Sequence, residues 1–164
     1  MIERRLSSEL KAGSGLSSLR LLAEADVTQR IIQALGSPML QCGTTDEPNS
    51  STDINVHIKD LGELADRAAT RNPPIKIAYE QWCWGKVLNT WQQSWEVVQK
   101  ADRPNLGLCL DTFQITGIDY ADPTTASGLN EMANPNPADH LTSSLAQLAT
   151  VPKEKIYYLQ VSLR

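Results

Sequence analysis

Apolar residues recur at helical spacing from Leu16 to Leu35. Leu19, Leu22, Ala23, Val27, Ile31, Ala34 and Leu35 share one face, and Gly36 stops the run. "PMLQC" (Pro38–Cys42) then reads as a short strand, followed by a polar, turn-rich loop, "GTTDEPNSSTD". Asp53 is placed to cap a second helix whose apolar face is Ile54, Ile58, Leu61, Leu64, Ala65 and Ala68, with "RNPP" closing it. "IKIAYEQ" is a β-rich run ending near Glu80. "NTWQQSWEVVQKA" returns to helical spacing, with Trp91, Trp95 and Val98 on one side. After "DRPN", the stretch "LGLCLDT" is apolar on both strand faces. Ile118 to Pro137 is polar and rich in Pro and Asn, and predicts a long loop following that strand. "DHLTSSLAQLATV" predicts a helix from about Asp139, and "KIYYLQVS" a final strand.

Helices thus alternate with about four nearly continuous apolar strands. Such strands are buried on both faces, which predicts a parallel sheet with helical crossovers in an α/β fold. A three-layer sandwich uses that number of strands. So does part of a (β/α)8 barrel, which in full needs roughly 200 residues or more. The chain has 164 residues and reads as one domain, 1–164.

Charge and cysteine usage narrow the function classes. A net charge of −4 argues against a phosphate-backbone binder, so no nucleic-acid partner is expected. No apolar run is long enough to span a bilayer, and "MIERRLSSEL" lacks the apolar centre of a secretory signal. Cys42, Cys83 and Cys109 show no paired spacing, which fits buried thiols in a reducing, cytoplasmic setting.

The chemistry-bearing pattern lies at strand ends. Glu80, Asp111 and Gln160 each follow an apolar run on its carboxyl side, the edge where parallel α/β folds assemble active sites. A carboxylate such as Asp111 is costly to bury alone, by several kcal/mol even after relaxation. Two carboxylates and an amide oxygen suit a hard or borderline divalent ion such as Mg²⁺, Mn²⁺ or Co²⁺. The plain alternative is that these residues cap strands or helix N-termini.

The blocks "LGSPMLQCGTTDEPNSSTD", "NPPIKIAYEQWCWG", "RPNLGLCLDTFQITG", "ADPTTASG" and "KIYYLQVS", spanning about residues 35–162, resemble fungal 3-dehydroshikimate dehydratases. These are members of the xylose-isomerase-like TIM-barrel superfamily of sugar phosphate isomerases and epimerases. The resemblance implies a partial (β/α)8 barrel and a divalent metal held by Glu80, Asp111 and Gln160. It also implies dehydration of 3-dehydroshikimate to protocatechuate in quinate catabolism, with the metal stabilising the enolate formed on proton loss. In the family a second Glu completes the ligand set, and here it would fall on a strand beyond Arg164. An Asp commonly follows the Gln by three positions, where this chain has Leu163. The strands would match the fourth to seventh of eight, so the chain reads as an internal piece of a barrel or a degenerate copy.

Gln114, three residues after Asp111, resembles the fungal pattern. An amide is no general base near neutral pH, so only an orienting role is open to it. His57 and His140 read as surface helix residues. Trp91 and Trp95 read as core, and Trp82 and Trp84 as a pocket wall or barrel–helix packing. "GSG" at Gly13–Gly15 reads as a turn. A second reading, from a different class, is a non-catalytic remnant that self-associates through exposed sheet edges and an apolar inner face. A third is another isomerase or epimerase of the superfamily. An abasic-site nuclease is disfavoured by the acidic balance.

Overall fold

The computed structural model describes residues 18–131 and 135–162. The turn expected at Gly13–Gly15 and the first helical residues from Leu16 lie outside that range, as does Leu163. Helix α1 spans Ser18–Ala34, strand β1 Met39–Gly43, α2 Ile54–Ala69, β2 Lys76–Glu80, α3 Trp91–Ala101 and β3 Leu106–Asp111. Then come α4, Thr112–Asp119, and α5, Pro137–Leu148. A single 3₁₀ turn at Lys153–Lys155 leads into β4, Ile156–Gln160.

The four strands form one parallel sheet in the order β1-β2-β3-β4. That order equals the sequence order. The order nowhere turns back on itself, so there is no switch point of the doubly wound kind. Each βα unit instead lays its strand beside the last, as in a (β/α)8 barrel. Helices α1, α2 and α3 pack against the strands and against one another. Leu40, Cys42, Ile77, Tyr79, Leu106, Leu108 and Leu110 are buried within this core. The register pairs Leu40 with Ile77 and Ile77 with Leu106, so these side chains share one face. Gln41, Ala78 and Gly107 pair in the same way on the opposite face. That face also carries Glu80, and Asp111 beside Gln160.

Local chemistry sets the element ends. Asp53 caps α2 through a hydrogen bond from Asn55 N–H, 2.9 Å. Thr90 caps α3 in a capping box with Gln93. The left-handed Asp102 closes α3. Helix α5 begins at Pro137 under an Asn136 cap, two residues earlier than the sequence pattern suggests, because Pro favours the first helical turn.

Three sequence expectations are corrected. The residue run after β3 is not a loop: α4 intervenes, and the polar segment follows it. Within that segment Ala121 bridges Leu129, and Asp122 N–H donates to Gly128 O, so it closes on itself as a small hairpin. Helix α1 buries Thr28, Gln29 and Ile32 and exposes Val27, Ile31 and Leu35. Its buried amide is satisfied, since Gln29 Nε2 donates to Leu64 O and Gln29 Oε1 accepts from Arg71 Nε. His57 is buried rather than on the surface, with Nε2 2.8 Å from Ser51 O. His140 is half exposed and pairs with the buried Asp119 at 3.3 Å.

Candidate functional site

Glu80, Asp111 and Gln160 end β2, β3 and β4 in parallel strands, and all three meet at the carboxyl edge of the sheet. Each carboxylate splits its two oxygens between separate tasks. Glu80 Oε2 accepts from Gln41 Nε2 at 2.8 Å and from Trp82 Nε1 at 3.1 Å. Asp111 Oδ1 accepts from Phe113 N–H at 2.8 Å, capping α4, and from Ser162 Oγ at 3.1 Å. The remaining oxygens, Glu80 Oε1 and Asp111 Oδ2, both face the end of the Gln160 amide, at 3.1 and 3.0 Å.

That amide has two orientations related by a half-turn. With nitrogen inward it donates to both carboxylates. With oxygen inward it donates from Nε2 to Gln41 Oε1 at 3.4 Å, and oxygens of all three residues converge. Three acceptors in contact repel unless a cation lies among them. Oxygens at right angles on an ion with bonds of about 2.1 Å are about 3.0 Å apart, and the Gln160 amide end lies 3.0 and 3.1 Å from the two carboxylate oxygens. The donor set is all oxygen and carries two carboxylates, which suits Mg²⁺ or Mn²⁺. Among the described residues no three His, Cys, Asp or Glu side chains converge in this way, because the third donor is an amide.

Electrostatics agree with the geometry. Glu80 is buried, and desolvation raises its pKa. The hydrogen bonds from Gln41 and Trp82 pull it back down, and the nearby Asp111 pushes it up again. Cys42 and Cys109 are buried and unpaired, and Cys42 is pushed up to about 12 by burial and by Glu80. Neither thiol is a nucleophile near neutral pH.

Gln114 lies in the first turn of α4 and not at a strand end. Its Oε1 accepts from Cys83 N–H at 2.9 Å, which ties the loop after β2 to α4. Trp82 holds Glu80 and lies across Gly43, where a Cβ would meet the indole at 2.3–2.7 Å. Trp84 is 52% exposed, with its ring 5.8 Å from that of Trp82 and 6.4 Å from Phe113, which is 40% exposed. An open aromatic run therefore borders the carboxylates. Trp91 is core, its Nε1 donating to Ser144 Oγ at 2.8 Å.

The sequence reading missed Gln41, Ser162 and α4. The helix had a signal: Asp111 and Gln114 stand in capping-box spacing. Gln41 had none, since the middle of an apolar strand gives no sign of which face meets a site.

A sequentially ordered parallel sheet with its polar residues gathered at the carboxyl edge defines a βα-barrel protein. A family model for the xylose isomerase-like TIM barrel matches residues 19–162, and the chain belongs to that family. It is 42% identical over 112 residues to a 3-dehydroshikimate dehydratase of Neurospora crassa, covering 68% of this chain and 30% of that protein. A 3-dehydroshikimate dehydratase of Pseudomonas aeruginosa is 30% identical over 143 residues, covering 87% of this chain and 19% of that protein. The chain therefore spans under a third of the length of these curated relatives. Among solved structures, a xylose isomerase-like TIM barrel/4-hydroxyphenylpyruvate dioxygenase fusion protein superposes with a TM-score of 0.69 at 24% identity. That match covers 93% of this chain and 21% of the fusion protein. The IOLI protein with a bound zinc atom superposes with a TM-score of 0.63 at 18% identity, covering 94% of this chain and 65% of that one. At these identities the two structures speak for the fold alone.

Proposed function

We propose that the chain carries the metal-binding strands of a 3-dehydroshikimate dehydratase, with 3-dehydroshikimate as substrate and protocatechuate as product. The observation that carries this reading is the convergence of Glu80 Oε1, Asp111 Oδ2 and the Gln160 amide at 3.0–3.1 Å, in a chain 42% identical to a protein of that name. A divalent ion held by these three side chains would polarise the substrate ketone as a Lewis acid, which acidifies the adjacent C–H. Glu80 and Asp111 bring two negative charges to offset it. Gln41, Trp82 and Ser162 hold the two carboxylates in place through hydrogen bonds. Trp84 and Phe113 offer a flat apolar border against which a six-membered ring can rest. Gln114 is engaged with the Cys83 amide, so its contribution is to orient the loop that carries Trp82 and Trp84.

Quinate breakdown is the pathway this reaction fits, and unpaired cysteines fit a cytoplasmic setting. Among the described residues no helix is long and apolar enough to cross a membrane. The test is to incubate the purified protein with 3-dehydroshikimate and Mg²⁺, Mn²⁺ or Co²⁺ and to follow protocatechuate by chromatography. Metal-dependent product that disappears in Asp111→Asn is expected. Tight metal binding without product would favour the reading of a non-catalytic, barrel-derived binding protein.

A further inference from the structure

We propose that Gln41 is a positioning residue that selects the ligating orientation of Gln160. The inference rests on the metal reading above and concerns two residues 119 positions apart at opposite edges of the sheet. Its logic is one of donors and acceptors. Glu80 Oε2 is an acceptor, as its 3.1 Å bond from the donor-only indole Nε1 of Trp82 requires. The Gln41 heteroatom 2.8 Å from that oxygen is therefore its Nε2. This fixes the Gln41 amide, so its Oε1 turns toward Gln160.

Gln160 then meets two competing demands. Turned one way, its Nε2 donates to Gln41 Oε1 and its own oxygen joins Glu80 Oε1 and Asp111 Oδ2. Turned the other way, its nitrogen donates to both carboxylates and its oxygen opposes Gln41 Oε1. Without a cation, the second orientation satisfies more hydrogen bonds. With a cation among the three oxygens, only the first presents a ligand. Gln41 tips this balance toward ligation, because it rewards one orientation with a hydrogen bond and penalises the other with two facing acceptors. An apolar residue of the same length at position 41 would do neither.

The test is a double-mutant cycle on Mn²⁺ affinity, with free Mn²⁺ measured by electron paramagnetic resonance, in wild type, Gln41→Met, Gln160→Glu and the double variant. A glutamate at 160 presents oxygen whichever way it turns, so selection by residue 41 no longer matters. Gln41→Met should weaken Mn²⁺ binding about tenfold in wild type, the scale of one hydrogen bond's net contribution. In the Gln160→Glu background the loss should be no more than about twofold, reporting only the lost bond to Glu80. Equal factors in the two backgrounds would overturn the proposal. Nuclear magnetic resonance of the wild type gives an independent check should a variant fold poorly. Adding Mg²⁺ should bring an Overhauser contact between the Gln160 amide protons and the Gln41 side chain, and an unchanged pattern would sink the selection mechanism. A wild type that takes up no Mn²⁺ overturns both this inference and the metal reading. Mn²⁺ uptake without protocatechuate formation overturns the dehydratase reading and leaves this inference standing.

Discussion

Asp111 does two jobs with two oxygens, and substitution can separate them. Asn retains an oxygen able to cap α4 and is as good an N-cap as Asp. Asp111→Asn should therefore change metal-free stability by less than about 1 kcal/mol while abolishing the metal-induced rise in melting temperature. Asp111→Ala should lose the metal response and also about 1 kcal/mol of stability from the missing cap. Urea unfolding with and without Mg²⁺ measures both, and a normal metal response in Asp111→Asn would rule Asp111 out as a ligand. Glu80 invites the opposite experiment. Its folded-state pKa lies above its unfolded value through burial and the proximity of Asp111. Between those two values the folded chain holds more protons than the unfolded one, so metal-free stability falls as pH rises through that window and is level above it. Metal binding requires ionised Glu80, so apparent affinity should climb across the same window. Glu80→Gln removes the repulsion yet keeps an oxygen for Gln41 and Trp82, so the metal-free protein should gain stability at neutral pH and flatten that pH profile.

Among the elements, the end of β1 and the loop after β2 are locked by a glycine. Trp82 crosses Gly43, and its N–H reaches Glu80 only because no side chain stands there. Gly43→Ala should displace the indole, lower Mn²⁺ affinity about twofold through loss of one hydrogen bond to the carboxylate, and shift the tryptophan emission. Unchanged affinity with a shifted spectrum would show that Trp82 does not position Glu80. How far these elements can be read from sequence depends on the kind of signal. The strands were legible because "LGLCL" and "IKIAY" are continuous apolar runs, and their polar ends pointed to Glu80, Asp111 and Gln160. Helix α4 was obscured because Gly117 and the polar residues after it give "DTFQITG" the look of a strand running into a loop. The buried face of α1 was misjudged because it contains Gln29, whose polarity is offset by Leu64 O and Arg71, partners far away in sequence. Gln41 and Ser162 were illegible for the same reason.

At the scale of the molecule, the sheet formed by the described residues has two edge strands, β1 and β4. Strand β4 leaves Leu159 59% exposed, with Val161 just past its end at 65%. Burying such side chains is worth roughly 1.5–3 kcal/mol each, and an open edge supplies backbone partners as well. We propose that the 164-residue chain produced alone pairs with a second copy through this edge. Light scattering should show association in the micromolar range, and Leu159→Lys with Val161→Lys should return it to a monomer. A monomer at every concentration tested would refute the pairing.

The strand order β1-β2-β3-β4 also carries a consequence for time. Gln41 arrives on the first strand and Gln160 on the last, so no shorter stretch of chain holds the whole constellation. The ligands become neighbours only when β4 docks. An ion that recognises them all binds after the final strand is in place, and contributes little to the barrier crossed on the way there. Mg²⁺ should therefore slow unfolding in proportion to the stability it adds and leave the refolding rate unchanged, which stopped-flow kinetics with and without the ion can measure. A faster refolding limb would mean that part of the site, Glu80 and Asp111 on adjacent strands, assembles early enough to guide the rest.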